Sequence, residues 1–394
     1  MLRKSLALGT SLAATLVVAG CADQTTAPVA TPKTRAAVAT SSGLRGSATG
    51  LVASAVRDLN LTGGSRIIAG NPNACNVASP INDYLDASLA QTFSTADETN
   101  RFFTLYDNLA DEVPTYEALV FQSASTPQFY GYTGSFTKAI QKVERDVKRF
   151  WDIPSADIEV VAMHGTVLMD PKRVAATYVS VYGLPADAAM FYAKQDSAAL
   201  DGSVTMNKGN YPFWTFNAVS FPGEHDQFFD IPAKIVMGDG LLEGYEAVGF
   251  GDVAPQAIFA HEFAHQIQFA NNYDLGNPGD APLPPRVTAA EFTRYNELMA
   301  DTYAGYYLTH ARGGTLRQKR VEQFLSTFFQ IGDCGFTSGG HHGTPSQRLA
   351  AARFGFQLAN EAQKQGHILS SAEIHELFVA QYPSIVALDV VAAK

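Results

Sequence analysis

The chain has 394 residues, of which 46% are hydrophobic and 17% charged, and its formal charge at neutral pH is -10. That length and balance supply the core of one large domain or two smaller ones. An acidic chain with no run of Lys and Arg lacks the clustered positive charge that nucleic acid or anionic lipid headgroups require, so neither is expected as a partner.

The N-terminus has the order of a targeting segment. Arg3 and Lys4 are followed by an apolar run from Leu6 to Val17 and then by Val18-Ala19-Gly20-Cys21. The apolar run is too short to favour a membrane-spanning helix. Its last four residues resemble the bacterial lipobox, which implies a lipoprotein signal peptide over 1–20 and diacylglycerol on the Cys21 sulfur as a membrane anchor. An ordinary signal peptide cut near Ala19 is the alternative. Ala22 after the cysteine favours the outer membrane in a Gram-negative cell, so the expected location is the extracytoplasmic side of the bacterial envelope. Residues 21–54 are rich in Ala, Thr, Ser and Gly without hydrophobic periodicity and read as a disordered tether. Cys75 and Cys334 remain as an even pair, a candidate disulfide in an oxidising compartment, with two buried thiols as the alternative.

Residues 55–132 read as a mostly helical region, clearest over 102–113. From Phe136 the residues Ile140, Val143, Val147 and Phe150 recur at helical spacing, with Ser135 or Thr133 as candidate caps. Residues 158–169 read as one or two strands, 173–183 as a helix stopped by Gly183, and 213–221 and 233–238 as further strands. A Pro- and Gly-dense loop over 271–286 separates these from an all-helical last third. Thr288 with Glu291, and Thr344 with Pro345 and Gln347, carry helix-start signals there.

Between the strands and that loop lies AIFAHEFAHQIQF, residues 257–269. If it is helical, His261 and His265 stand one turn apart on one face, with Glu262 beside the first. Asp252 and Pro255 supply start signals for such a helix. A metal held by two histidines needs a third protein ligand, and Glu297 in ELMAD (297–301) is the candidate, with Asp301 one turn further on able to orient a ligand histidine. The small residues Ala300, Ala304 and Gly305 would let that helix approach the motif helix closely.

Three blocks, GDVAPQAIFAHEFAHQIQ (251–268), ELMADTYAG (297–305) and IGDCGFTSGGHHGTPSQR (331–348), stand in one order. In this the chain resembles the gluzincin (thermolysin-like) zinc metallopeptidases, and more closely the bacterial neutral zinc metallopeptidases. The likeness covers about a quarter of the chain, from Gly251 to Phe356. Upstream, AKIVMGDGLLEGYEAV stands where that family has cysteine-containing strands.

The resemblance implies an α+β fold with a zincin-like metallopeptidase core over 133–394, made of an α/β upper part and a mainly helical C-terminal part. It implies Zn2+ held by His261, His265 and Glu297, with Glu262 as general base toward a peptide or protein substrate and Asp301 behind His261. His342 is the family-matched donor to the developing oxyanion, with Tyr303, Tyr306 and Tyr307 as rivals. Arg348 is expected to pair with a carboxylate. The function implied is a lipid-anchored zinc endopeptidase. The alternatives are an exopeptidase or other amide hydrolase on the same site, a non-catalytic zinc-binding lipoprotein, and a non-haem iron site. His164, His225, His310, His367 and His375 have no partner at metal spacing and read as structural or solvated, and Trp151 and Trp214 read as core.

Overall fold

The structure is a computed structural model that describes residues 65–66, 79–225, 230–273, 292–329 and 342–387. Cys21, Cys75 and Cys334, the signal and tether segments, and the Thr288–Glu291 start signal lie outside these residues. Among the described residues no helix is long and apolar enough to cross a membrane.

The described strands are β1 (Ser65–Arg66), β2 (Glu159–Met163), β3 (Ala218–Phe221), β4 (Glu224–His225), β5 (Asp230–Ile231) and β6 (Lys234–Gly238). Four of them form a mixed sheet in the order β1-β3-β6-β2. β2 runs parallel to β6, with Val161 opposite Val236, and β3 runs antiparallel to both β6 and β1. Side chains alternate across a strand, so each of these strands serves two cores. Val160, Ala162, Ala218, Ile235 and Met237 face one, and Val161, Met163, Val219, Phe221 and Val236 face the other. Burial on both faces explains why these strands read as continuous apolar runs.

The first helices are α1 (Pro80–Thr92), α2 (Ala96–Asp107), α3 (Val113–Phe121) and α4 (Thr137–Phe150), followed by α5 (Pro171–Tyr182) and α6 (Ala186–Asp201). Helices α2, α3, α5 and α6 fill the second core. The first core is filled by α4 together with α7 (Asp239–Ala247), α8 (Ala254–Asn271), α9 (Phe292–Thr309), α10 (Gln318–Phe328), α11 (Pro345–Gln365) and α12 (Ser371–Val386). The fold is therefore α+β, a small mixed sheet between helical layers.

Fourteen of the eighteen residues of α8 are buried, and the same holds for α9. A helix buried all round belongs between layers rather than on a surface. Helix α8 is sandwiched between the sheet and α9. Gln266 pins it from one side, its amide donating to Ser220 Oγ (2.8 Å), Phe221 O (3.0 Å) and Lys234 O (3.1 Å). The helix stops at Asn272, which takes the left-handed conformation at φ 53°.

Several sequence expectations hold and others are corrected. Helices α4 and α5 stand where the periodicity puts them, and Gly183 ends α5 at φ 62°. The Thr344–Gln347 capping box is formed in both directions. Neither Ser135 nor Thr133 caps α4: Phe136 holds that position without a side-chain bond, and Thr137 Oγ1 instead accepts from Tyr130 N at 3.1 Å. The helix over 102–113 breaks at Asn108, where Leu109 turns to φ 66°. Strand β2 ends at Met163, because Gly165–Met169 forms a 3-10 turn, and Pro212–Thr215 does the same ahead of β3. Asp252 does not cap α8; both its oxygens pair with Arg320. Gly305 meets α11 rather than the motif helix: a Cβ there would fall 2.4 Å from Ala352 O, and one at Gly355 2.2 Å from Thr302 O. Helix α6 has no forerunner in the sequence reading, since Ala-rich stretches carry little hydrophobic contrast.

An ionisable network lies within the second core. Tyr178 Oη lies 2.5 Å from Asn108 O and 2.6 Å from Asp196 Oδ2, and Asn108 Nδ2 donates to Asp196 Oδ1 at 2.8 Å. One hydroxyl proton cannot serve two acceptors, so with Tyr178 donating to Asn108 O, Asp196 must supply a proton of its own. Burial pushes Asp196 up to about 7, in keeping with that count. The folded state holds the proton to about pH 7, whereas the unfolded chain releases it near 3.8, so this group's stabilisation is full below 3.8 and is lost as pH rises to about 7. The loss is at most about 4 kcal/mol. Asp196→Asn keeps the donor to Tyr178 without a charge, and is expected to flatten that fall and to raise the denaturation midpoint at about pH 8. A variant that tracks the parent across this range contradicts the assignment.

Candidate metal centre

His261 and His265 lie one turn apart on α8, and Glu297 faces them from α9. Each offers one ligand atom, all within 4.8 Å of one another, and all three residues are buried. The two Nε2 atoms are 3.3 Å apart, and Glu297 lies 3.3 Å from His261 Nε2 and 3.7 Å from His265 Nε2. Bonds of about 2.05 Å to a tetrahedral ion give a ligand–ligand edge of about 3.3 Å, so the spacing fits such an ion without rearrangement. Without an ion, three lone-pair donors this close would repel unless protons lay between them. The donor set thus fits a first-row metal.

Hydrogen bonds orient the ligands. Gln268 Nε2 donates to Asn296 O at 2.7 Å, which turns Gln268 Oε1 toward His265 Nδ1 at 2.8 Å. That oxygen only accepts, so His265 carries its proton on Nδ1 and turns its Nε2 lone pair toward Glu297. His261 Nδ1 sits 3.0 Å from Asp301 Oδ1, an ion-pair distance without straight hydrogen-bond alignment. Asp301 is in turn gripped by Arg348, through Nε at 2.8 Å and Nη2 at 2.9 Å, and the same Nη2 reaches Glu297 Oε2 at 3.2 Å. The Arg348 guanidinium thus ties a ligand carboxylate to the carboxylate behind a ligand histidine. Phe329 lies over its face at 4.6 Å.

These contacts set the charges. Burial opposes protonation of His261, but the Asp301 and Glu297 carboxylates outweigh it and push that ring up to about 9. Burial pushes His265 down to about 4, so it is neutral and ready to donate a lone pair. Burial would raise Glu297, yet His342, His261 and Arg348 hold it well below the usual carboxylate range. Burial pushes Glu262 up to about 8, and among the described residues neither of its oxygens has a hydrogen-bond partner. A fully buried carboxyl without a partner is costly to keep unless another role requires it.

The structure brings together His261, His265, Glu297, Asp301 and Arg348, with Glu262 on the same helix. His342 joins them through Nδ1, 3.3 Å from Glu297 Oε1. Tyr303 and Tyr306 are engaged elsewhere, Tyr303 donating to Ser371 O (2.7 Å) and Tyr306 accepting from Leu369 N (2.7 Å), and Tyr307 is buried against Phe150. Sequence reasoning missed Gln268, although its place three residues after His265 puts it on that histidine's face. No family model, curated protein or solved structure matches the chain.

Two outcomes are expected. A metal must displace the proton that His261 holds up to about pH 9, so apparent affinity for added zinc should climb as pH rises from about 6 to 9, with protons released on binding. Calorimetry in buffers of different ionisation enthalpy measures both. Arg348→Ala leaves two buried carboxylates without their cation and should lower the unfolding free energy by about 3–5 kcal/mol. A chemical denaturation curve superimposable on the parent's would remove Arg348 from its place at the centre of this network.

Proposed function

We propose that the chain is a zinc-dependent endopeptidase with a zincin-like core, held at the extracytoplasmic face of a bacterial envelope by a lipid on Cys21. One observation carries the reading: a buried His261, His265 and Glu297 cluster with Glu262 beside it and with charged partners already in place behind the ligands. The three sequence blocks support it, since α8, α9 and the head of α11 meet at this cluster. So does the order of layers, with a mixed sheet above α8 and helices below.

Zinc bound by His261, His265 and Glu297 supplies Lewis acidity, which acidifies water and polarises a scissile carbonyl. With a metal held there, Glu262 would be the group placed to accept a proton from water at a carboxylate oxygen and to return it to a leaving amine. Burial suits Glu262 to this transfer, because a carboxyl raised toward neutrality both accepts and returns a proton near pH 7. His265 stays neutral through Gln268, and Asp301 with Arg348 holds His261 in register. His342 lies with Nδ1 against Glu297, and its Nε2 donates to an oxyanion only when both ring nitrogens carry protons.

A second reading, a metal-binding protein of the same fold without turnover, is favoured by one observation. Glu262 is wholly inaccessible to solvent in this structure. Glu262→Gln separates the two. Under the peptidase reading the variant retains about one zinc by elemental analysis and loses about 10²–10⁴ in kcat/KM on an unfolded protein substrate. Zinc in both proteins with cleavage in neither supports the binding reading, and absence of zinc from both sinks each of them.

A further inference from the structure

His164 and Asp239 stand away from the metal cluster and are not used by it. β2 and β6 are parallel neighbours with Met163 opposite Gly238, so the next residue of each chain segment emerges at the same carboxyl edge. Those residues are His164 and Asp239, with Nδ1 and Oδ2 2.6 Å apart. In open α/β sheets ligands bind in the crevice beyond the carboxyl ends of parallel strands, and this small mixed sheet has one such parallel pair. Here it is a cavity of about 370 Å³ with Phe129, Thr133, His164, Thr166, Asn210 and Asp239 among its walls. That volume is in the range of small-molecule sites.

The walls are built rather than incidental. Asp239 is buried and fully engaged, its Oδ1 accepting from Gly131 N at 2.8 Å while Oδ2 holds the imidazole. His164 is one-third exposed, and its Nε2 has no partner among the described residues. Thr166 and Asn210 reach the cavity from a crossing at which Gly165 and Gly209 touch backbone to backbone. A Cβ on Gly165 would fall 2.1 Å from Gly209 O, and one on Gly209 2.2 Å from Gly165 O. The approach is made by three successive residues at positive φ, Asn207 (40°), Lys208 (52°) and Gly209 (98°). Two of these are not glycine, and strain of this kind gathers at ligand sites. The free edge of β2 is already covered, Tyr130 Oη donating to Val160 O and Gln128 Oε1 accepting from Ala162 N, both at 3.0 Å.

The lining selects the ligand. Among the described residues it contains no Lys or Arg, and the one ring that can carry positive charge, His164, is already paired with Asp239, so phosphates and carboxylates lack an uncompensated counter-charge. Its only carboxylate is committed to Gly131 and His164, so an ammonium group finds no free partner. What remains are hydroxyls, one amide, an imidazole nitrogen and an exposed ring, Phe129, at 59% exposure. Hydroxyls that both donate and accept satisfy such groups, and the C–H face of a ring lies against an aromatic.

We propose that the cavity at the carboxyl ends of β2 and β6, walled by His164, Asp239, Asn210, Thr166 and Phe129, binds a neutral hydroxyl-rich ligand of sugar size. The site is independent of the metal centre and of the peptidase reading.

The test is calorimetric titration of the full chain with cellobiose, N,N'-diacetylchitobiose and glycerol, beside inorganic phosphate and putrescine as charged probes. The expected result is saturable heat from at least one neutral probe and none from phosphate or putrescine. A saccharide response points to a glycan source, and a response shared with glycerol to polyols in general. His164→Ala and Phe129→Ala should each weaken that binding by at least about tenfold. Phe129→Ala removes an exposed ring and leaves the core intact, so its result stands even if the His164 variant folds poorly. Silence from every neutral probe up to about 10 mM overturns the proposal, as does binding that survives Phe129→Ala, or a charged probe that binds in competition with the neutral ones.

Discussion

The buried guanidinium of Arg348 is the interaction on which the candidate metal centre depends. It lies between Asp301 and Glu297, bidentate to the first and in contact with the second, with an aromatic ring over its face. Two carboxylates, Glu297 and Asp301, are buried one turn apart on α9, and such a concentration of negative charge is unstable in a low-dielectric interior without a fixed cation. Arg348 enters from the first turn of α11, placed there by the Thr344 capping box and by the glycine crossing of α9 and α11. The cap, the close crossing and the ion pair form one arrangement, and the ligand geometry follows from it.

The same arrangement divides labour between the two histidines. His261 faces carboxylates and is held as a cation until something displaces its proton, while His265 faces an amide and stays neutral. Their chemistry differs because their neighbours differ, although their positions on α8 are equivalent. Neither carboxyl oxygen of Glu262, one residue on, has a hydrogen-bond partner among the described residues. A buried carboxyl without a hydrogen-bond partner, set beside paired charges, is a point where a proton can move at low cost.

The two ends of the central sheet are also unlike. At the end where β3 stops and β6 starts, Gln266 binds α8 to three acceptors and closes the structure. At the carboxyl ends of β2 and β6 the chain instead leaves an open crevice with a His–Asp pair at its floor. Lys234 shows how closed the first end is: its ammonium is buried against the carbonyls of Leu119 and Gln122 at the end of α3, where the helix dipole favours a cation.

Local rules made much of this legible in the sequence. Helical periodicity placed α4, a glycine placed the end of α5, and a capping box placed the start of α11, because each depends on neighbours within about one turn. The pairing of His261 with His265 is of the same kind, since four residues on a helix set their distance. Other features were settled by tertiary structure. Glu297, a candidate ligand already in the sequence, reaches the two histidines because α9 packs on α8. Gly305 serves the α9–α11 crossing rather than the approach to α8, and Asp252 turns from a cap into an ion pair, because partners far along the chain override local preference. His164 looked solitary in the sequence, since Asp239 is 75 residues away. What the sequence determined by itself are the elements and residue types whose geometry is local. Which of them meet was decided by packing, through contacts whose separation along the chain leaves no periodic trace.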